Sequence, residues 1–249
     1  MRYAYGSRSF EKYVRWDVKV FAISDFHLCI SGAKPMEIFG NGWKNYKEEI
    51  AKDWKEKVCD SDVVLICGDI SWAMKLDEAK LDLNYFEDLP GTKIFIRGNH
   101  DYWWQSISNV RNILPRNSFA LQNDAVKIGN YVFCGTRGWQ APEKGISQTS
   151  EDEKIYKREV IRLDMALSAA KRLYQDGDKV VCMLHYPPFN QQKENNEIIS
   201  LLTKYNVKYC VFGHIHSYIG KYKIEEELGS IKYFLTSCDL LKNKLIEIK

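Results

Sequence analysis

The chain has 249 residues, 45% of them hydrophobic and 28% charged, which is enough to fill one full-sized core and excludes disordered, collagen-like and fibrous classes. Its 36 basic and 33 acidic residues leave a formal net charge of +3, with no basic tail or arm. Nothing in that balance marks the whole molecule as an electrostatic clamp for a polyanion.

Residues 1–20 are broken by Arg, Glu, Lys and Asp before any apolar run of signal-peptide length. The longest apolar stretches, 63–67 and 180–184, fall far short of the roughly 20 residues that span a bilayer. They read as strands. The seven cysteines are scattered, and Cys67, Cys134, Cys182 and Cys210 sit at or near the ends of apolar runs. They fit reduced, buried residues of a cytoplasmic protein better than a disulfide or zinc-thiolate site.

In chain order, an apolar strand over 18–23 stops at Ser24-Asp25-Phe26-His27. Residues 31–45 hold Gly32, Pro35, Gly40 and Gly42 among polar neighbours and read as a loop; Tyr46, Ile50, Trp54 and Val58 then mark a helix face. The strand 63–67 ends in Gly68-Asp69, and a helix through Ala79, Leu83 and Phe86 follows, with Asp77 as its expected N-cap. The strand 93–96 ends in Arg97-Gly98-Asn99-His100-Asp101, before a helical pattern through Trp103, Ile107 and Val110. Three rounds of strand, polar loop and helix imply an α/β layered fold with a largely parallel sheet.

Beyond 119 the pattern changes. Segments 126–128 and 131–134 flank Gly129-Asn130 as a hairpin; 140–154 reads as a surface loop; and Tyr156, Val160, Leu163, Leu167, Ala170 and Tyr174 trace a long amphipathic helix. The last third gives a strand over 180–184 ending at His185, a helix over 198–205, a strand over 209–212 ending at Gly213-His214-Ile215-His216, and two or three closing strands within 221–248. We expect two packed sheets sharing one core, in a single domain over 1–249 without repeats or linkers.

The five histidines, His27, His100, His185, His214 and His216, each lie just beyond an apolar strand. Asp25 stands two residues before His27, so an extended backbone would point both side chains the same way. Asp69 and Asn99 follow glycines at two further strand ends. Taken singly, each of these strings is an ordinary turn. Together, five strand ends supplying ligand-type side chains point to a site at the C-terminal edge of a sheet. Asp25, His27, Asp69, Asn99, His185, His214 and His216 are too many ligands for one ion, whereas two ions about 3.5–4 Å apart and sharing a carboxylate would use them all. Such oxygen and nitrogen ligands suit two divalent ions of Mn, Fe, Zn or Ni.

These motifs, Asp25-Phe26-His27, Gly68-Asp69, Gly98-Asn99-His100-Asp101, His185 and Gly213-His214-Ile215-His216, stand in the order of the calcineurin-like metallophosphoesterase family, which the chain resembles over nearly its whole length. The resemblance implies a four-layer α/β/β/α sandwich of two mixed sheets. It also implies one ion held by Asp25, His27, Asp69 and His216 and the other by Asp69, Asn99, His185 and His214, with Asp69 bridging. The expected chemistry is in-line attack of a metal-bridging hydroxide on a phosphomonoester or phosphodiester, without a phosphoenzyme. His100 would be the catalytic acid or charge stabiliser, and Asp101 would accept a hydrogen bond from its other ring nitrogen.

Substrate signals are weaker. Trp72, Trp103, Trp104, Trp139 and Tyr186 lie near motif ends, where rings either stack on substrate or pack helices on the sheet. Arg137 and Tyr186 are the candidate substrate contacts, while Arg97 could instead face a neighbouring carboxylate. The segments 30–45 and 140–154 are rim cover too short for a cap domain, which favours a small phosphorylated molecule or exposed phosphodiester, with no membrane partner. A nuclease on DNA or RNA would need a basic stripe beside the site. A protein-interaction module that had lost catalysis would lack ligands, and all eight positions, His100 included, are present.

Overall fold

The computed structural model describes residues 18–30, 32, 34–216 and 220–249; residues 1–17, on which the expected absence of a signal peptide rests, lie outside them. The elements of the first half are β1 (Val20–Ala22), α1 (Tyr46–Lys57), β2 (Val63–Ile66), α2 (Leu76–Leu83), β3 (Thr92–Phe95), α3 (Ile107–Asn112) and β4 (Ser118–Ala120). Those of the second are β5 (Asp124–Ile128), β6 (Tyr131–Gly135), α4 (Ser150–Leu173), β7 (Lys179–Met183), α5 (Glu197–Lys204), β8 (Tyr209–Phe212), β9 (Glu225–Leu228), β10 (Ile231–Leu235) and β11 (Ile246–Glu247).

Two mixed sheets result, a five-stranded one in the order β11-β1-β2-β3-β4 and a six-stranded one in the order β5-β6-β7-β8-β10-β9. β1 to β4 are parallel, and so are β6, β7, β8 and β10; the antiparallel strands β11, β5 and β9 sit at edges. The central parallel strands, such as β1, β2 and β8, are buried on both faces, which is why they read as unbroken apolar runs rather than alternating ones. In β2, Val63 and Leu65 face the other sheet while Val64 and Ile66 face the helices. In β7, Val181 and Met183 face inward while Val180 and Cys182 pack under α4 and α5.

Side chains therefore form three cores and not the single shared one expected. One lies between α1, α2, α3 and the first sheet, one between the sheets, and one between the second sheet and α4 and α5, giving the four layers α/β/β/α. None of the seven cysteines forms a disulfide. Cys134, Cys182 and Cys210 stand side by side in register across β6, β7 and β8, buried as small core residues.

Several local expectations need correction. Asp77 lies in the first turn of α2, whose N-cap position is Lys75 without a side-chain cap. Trp103 precedes α3, which begins after Ser106, whose hydroxyl accepts from the Asn109 N–H. The loop 140–154 is shorter than expected because Thr149 caps α4 by accepting from the Asp152 N–H, while Asp152 accepts from the Thr149 hydroxyl at 2.5 Å. The rim segment 30–45 includes two short 3₁₀ turns, Met36–Phe39 and Asn41–Trp43. Among the described residues no helix is long and apolar enough to cross a membrane.

Candidate metal centre

The loops that follow β1, β2, β3, β7 and β8 meet at one edge of the sandwich. The loop after β1 runs alongside the loop after β2, with the Asp25 N–H donating to the Gly68 carbonyl at 3.1 Å and the His27 N–H to the Asp69 carbonyl at 2.9 Å. The extended backbone expected for Asp25 and His27 is not what aligns them. Both adopt left-handed conformations, φ 60° and 48°, as do Asp69 at 50° and His214 at 71°. Each such residue costs roughly 1–2 kcal/mol, a strain that persists only where the surroundings over-determine it. Here the surroundings include the Asp25 carboxylate, which accepts from Ser24 Oγ at 2.6 Å, Ser237 Oγ at 3.0 Å and the His214 N–H at 3.1 Å.

All seven expected ligands are brought together. Ligand atoms of Asp25, His27 and His216 form one group within 4.8 Å of one another, and those of Asp69, His185 and His214 form a second. Asp69 faces both: its Oδ2 is 3.7 Å from His27 Nε2 and its Oδ1 is 3.5 Å from His185 Nε2. Asn99 joins the second group, its Oδ1 lying 2.7 Å from His185 Nε2.

The tautomers follow from the outer partners. His185 Nδ1 lies 2.8 Å from the Cys67 carbonyl, which can only accept, so Nδ1 carries the proton of the neutral ring. Nε2 then presents its lone pair toward Asn99 Oδ1 at 2.7 Å, His214 Nδ1 at 3.3 Å and Asp69 Oδ1 at 3.5 Å, a convergence of lone-pair atoms on one point. Such a convergence of nitrogen and oxygen atoms could hold a divalent cation. His216 Nδ1 likewise donates to Asp239 Oδ1 at 2.9 Å, which turns its Nε2 toward His27 Nε2 at 3.4 Å and Asp25 Oδ1 at 3.7 Å. Asp239 was not anticipated from the sequence; a lone carboxylate after a strand carries no signal of its own.

Charge reinforces the fit to divalent cations. Burial, aided by His216, His100, His185 and His214, holds His27 well below its usual pKa. Burial likewise takes His185 down to about 3 against the pull of Asp25, and His214 to about 4 with help from His216 and His100. These rings are neutral donors of lone pairs at neutral pH. Burial pushes Asp69 well above the carboxylate range, with the charges of Asp25 and Asp101 adding to it. His216 is the exception: burial opposes its charge, but the Asp239 hydrogen bond and the charges of Asp25 and Asp239 outweigh it and raise the pKa.

His100 lies at the mouth, its backbone N–H donating to Asp69 Oδ1 at 2.8 Å and its Nε2 4.0 Å from Asp69 Oδ2. The expected hydrogen bond from its ring to Asp101 is absent: His100 Nδ1 has no partner among the described residues. Asp101 is instead fully buried and accepts from the N–H groups of Ile70 (2.9 Å), Ser71 (3.2 Å) and Gly98 (2.7 Å) and from Trp103 Nε1 (3.1 Å). It locks the loops after β2 and β3 to each other. Burial raises its pKa to about 6 against those four donors.

The aromatic residues divide. Trp72 stacks on His27 at 4.8 Å and lies 4.5 Å from His100, while Trp139 packs on Tyr186 at 4.9 Å and Tyr186 on His214 at 4.1 Å. Trp103 and Trp104 are buried in the core under the first sheet, so they serve packing. Trp43, in the glycine-rich segment, is a further site neighbour, 6.1 Å from His27 and 5.9 Å from His216. The Arg137 guanidinium lies 4.7 Å over the Trp139 ring.

The family model for calcineurin-like phosphoesterases matches residues 18–218. An uncharacterized protein of Methanocaldococcus jannaschii, MJ1445, is 33% identical over 86 residues, which cover 33% of this chain and 47% of that protein. The match thus spans about half the length of that relative. The crystal structure of TT1561 of Thermus thermophilus superimposes with a TM-score of 0.57 at 16% identity, covering 93% of this chain and 98% of the other, which is a likeness of fold.

Proposed function

The chain belongs to the calcineurin-like phosphoesterase family, and on that premise we propose that it is a metal-dependent phosphohydrolase cleaving a phosphomonoester or phosphodiester with water at a centre of two divalent cations. The observation that carries the reading is Asp69, whose two oxygens face the imidazoles of two separate ligand groups. Asp25, His27, Asp69 and His216 would hold one cation, and Asp69, Asn99, His185 and His214 the other. Mn²⁺, Fe²⁺, Zn²⁺ or Ni²⁺ in those places would neutralise phosphoryl oxygens and make water nucleophilic near neutral pH.

The protein's own groups do the rest. The Cys67 carbonyl and Asp239 fix the tautomers of His185 and His216, so lone pairs face inward before any cation arrives. Asp101 holds the backbone that presents Asp69 and His100. The His100 side chain is 34% exposed and able to touch a substrate from the open side, where it would donate a proton to the leaving oxygen or stabilise charge building on it. Arg137 and Tyr186 are the nearest candidates for contact with the rest of the substrate.

The test is elemental analysis of protein purified without added metal, joined to hydrolysis assays on aryl phosphomonoester and phosphodiester substrates after Mn²⁺ addition. Two bound equivalents and turnover that disappears in His185→Gln are expected. Protein that binds no divalent cation, or turnover indifferent to His185→Gln, overturns the proposal.

A further inference from the structure

The rim segment that follows β1 carries a cation to the His27 and His100 side of the centre. Its start is tied down by Asp82 of α2, which is buried and accepts from the Ile30 N–H at 2.7 Å and from the Ser71 hydroxyl in the loop after β2. Further along, Trp72 Nε1 donates to Met36 Sδ at 3.2 Å, and the Trp72 N–H donates to the Leu28 carbonyl at 2.9 Å. Lys34 lies between the tethers at Ile30 and Met36, so the segment that bears it is fixed to the loop that bears Asp69.

Lys34 Nζ stands 4.7 Å from the centroid of the Trp72 ring. The same ring stacks on His27 at 4.8 Å and lies 4.5 Å from His100. One indole thus touches both the ammonium and the ring at the mouth. The indole is occupied by these neighbours and serves as a mount; the ammonium is what stays open. A cation over an aromatic face at an exposed site gains only about 0.5–1 kcal/mol, enough to orient the ammonium but not to neutralise it. Lys34 is exposed, and among the described residues no carboxylate forms an ion pair with it.

We propose that Lys34 is a substrate-binding residue that pairs with an anionic substituent of the leaving group, so that the substrate class is a phosphoester whose alcohol side itself carries a carboxylate or phosphate. The inference rests on the phosphohydrolase reading, in which His100 meets the leaving oxygen. A leaving group that departs past His100 comes to the ammonium one ring away, and a charge-assisted hydrogen bond from Nζ to its anion completes a cation that the protein leaves unpaired.

Two measurements on the full chain test it. Manganese-loaded protein is assayed on phenyl, p-carboxyphenyl and p-(phosphonomethyl)phenyl phosphates, each as the monoester and as its methyl diester, with the released phenol as readout. The preference in kcat/KM for an anionic over the neutral leaving group should be about fivefold greater in the wild type than in Lys34→Gln, the worth of one exposed charge pair. Lys34→Arg should keep that preference, and salt at about 0.5 M should shrink it. Whichever anionic ester gains more identifies the group as carboxylate or phosphate. Equal preference in the wild type and Lys34→Gln overturns the inference, also when the variant slows every ester alike, as a merely structural role would. Calorimetric titration of the same proteins with benzylphosphonate and its p-carboxy and p-phosphonomethyl derivatives reads binding without turnover. Relative to the parent, an anionic derivative should gain about fivefold more affinity in the wild type than in Lys34→Gln, and equal gains in both proteins overturn the inference. No turnover of any ester, with the phosphonates still separated by Lys34, marks failure of the phosphohydrolase reading alone. Turnover without that separation marks failure of this inference alone, and neither turnover nor phosphonate binding overturns both.

Discussion

Gly68→Ala tests whether close approach of two loops builds the centre. A Cβ on Gly68 would lie 2.6 Å from both the N and Cα of Gly98 and 2.8 Å from His185 Nδ1, at a φ of +92°. Ordinary contact starts at 3.4 Å, so the loops after β2 and β3 would have to part by about 0.8 Å. Overpacking of this kind costs about 1–3 kcal/mol and left-handed backbone with a Cβ roughly 1–2 more, less about 0.4–1 recovered from the stiffer unfolded chain. The net is about 1–4.5 kcal/mol, which for a chain of this size lowers Tm by roughly 2–18 °C. His185 is displaced from the Cys67 carbonyl at the same time, so metal content should fall as well. Gly177→Ala is the control: its φ is +91° but nothing lies within 4 Å of its Cβ, so it carries the backbone term alone. The assay is thermal unfolding of both variants with elemental analysis of the same samples. Equal Tm loss in the two, with two metal equivalents kept in Gly68→Ala, refutes the packing argument.

Asp239→Asn keeps an acceptor near His216 but removes the charge, and metal affinity should drop about 10–100-fold; an unchanged titration with Mn²⁺ rejects Asp239 as an orienting partner. His100→Asn should keep both metals while losing a factor of roughly 10²–10⁴ in turnover, so near-normal turnover removes His100 from the chemistry. Acidification should release the two ions in order. His216, with its pKa raised by Asp239 and Asp25, takes up a proton earlier as pH falls than His185 and His214, at about 3 and about 4, so protons compete with metal first at the Asp25–His27–His216 group. Stoichiometry should fall from two at pH 7.5 to one at pH 5.5, and the survivor should be lost in His185→Gln but not in His216→Gln. Simultaneous loss of both ions, or the reverse order, contradicts this.

The parallel strands were legible because burial on both faces leaves a mark that sequence carries plainly, a short unbroken apolar run such as Val63-Val64-Leu65-Ile66. The ligands were legible for the same reason, since each stands where such a run stops. Helix starts were misjudged where apolar periodicity was followed instead of capping chemistry. Thr149 with Asp152, and Ser106 before α3, are signals in the sequence that would have set both boundaries. Asp239, Trp43 and the four donors to Asp101 were not readable, because each depends on which loops meet across the edge of the sandwich. Asp101 shows the consequence. Its place directly after His100 suggested a partner for that ring, whereas folding carries its carboxylate toward the backbone of Ile70 and Ser71.

The glycines that precede ligands owe their place to the same meeting of loops. Gly68 before Asp69, Gly98 before Asn99 and Gly213 before His214 look in sequence like ordinary strand-ending turns, yet only Gly68 has a positive φ. At Gly98 the nearest atoms to an added Cβ belong to Asp69, including its carboxylate, and at Gly213 they are the Asp25 carboxylate and Ser24 Oγ. What these two positions need is the absence of a side chain, because a carboxylate from a neighbouring loop occupies that space. Asp25, His27, Asp69 and His214 adopt left-handed backbone in these same crowded loops, a strain that persists only where the surroundings over-determine it. It follows that Gly98→Ala and Gly213→Ala should act through different carboxylates, the first dislodging Asp69 and so both ligand groups, the second dislodging Asp25 and so only the group with His27 and His216. Metal stoichiometry separates them: an expected loss of both equivalents in the first variant and of one in the second, with identical losses in the two telling against a shared Asp69.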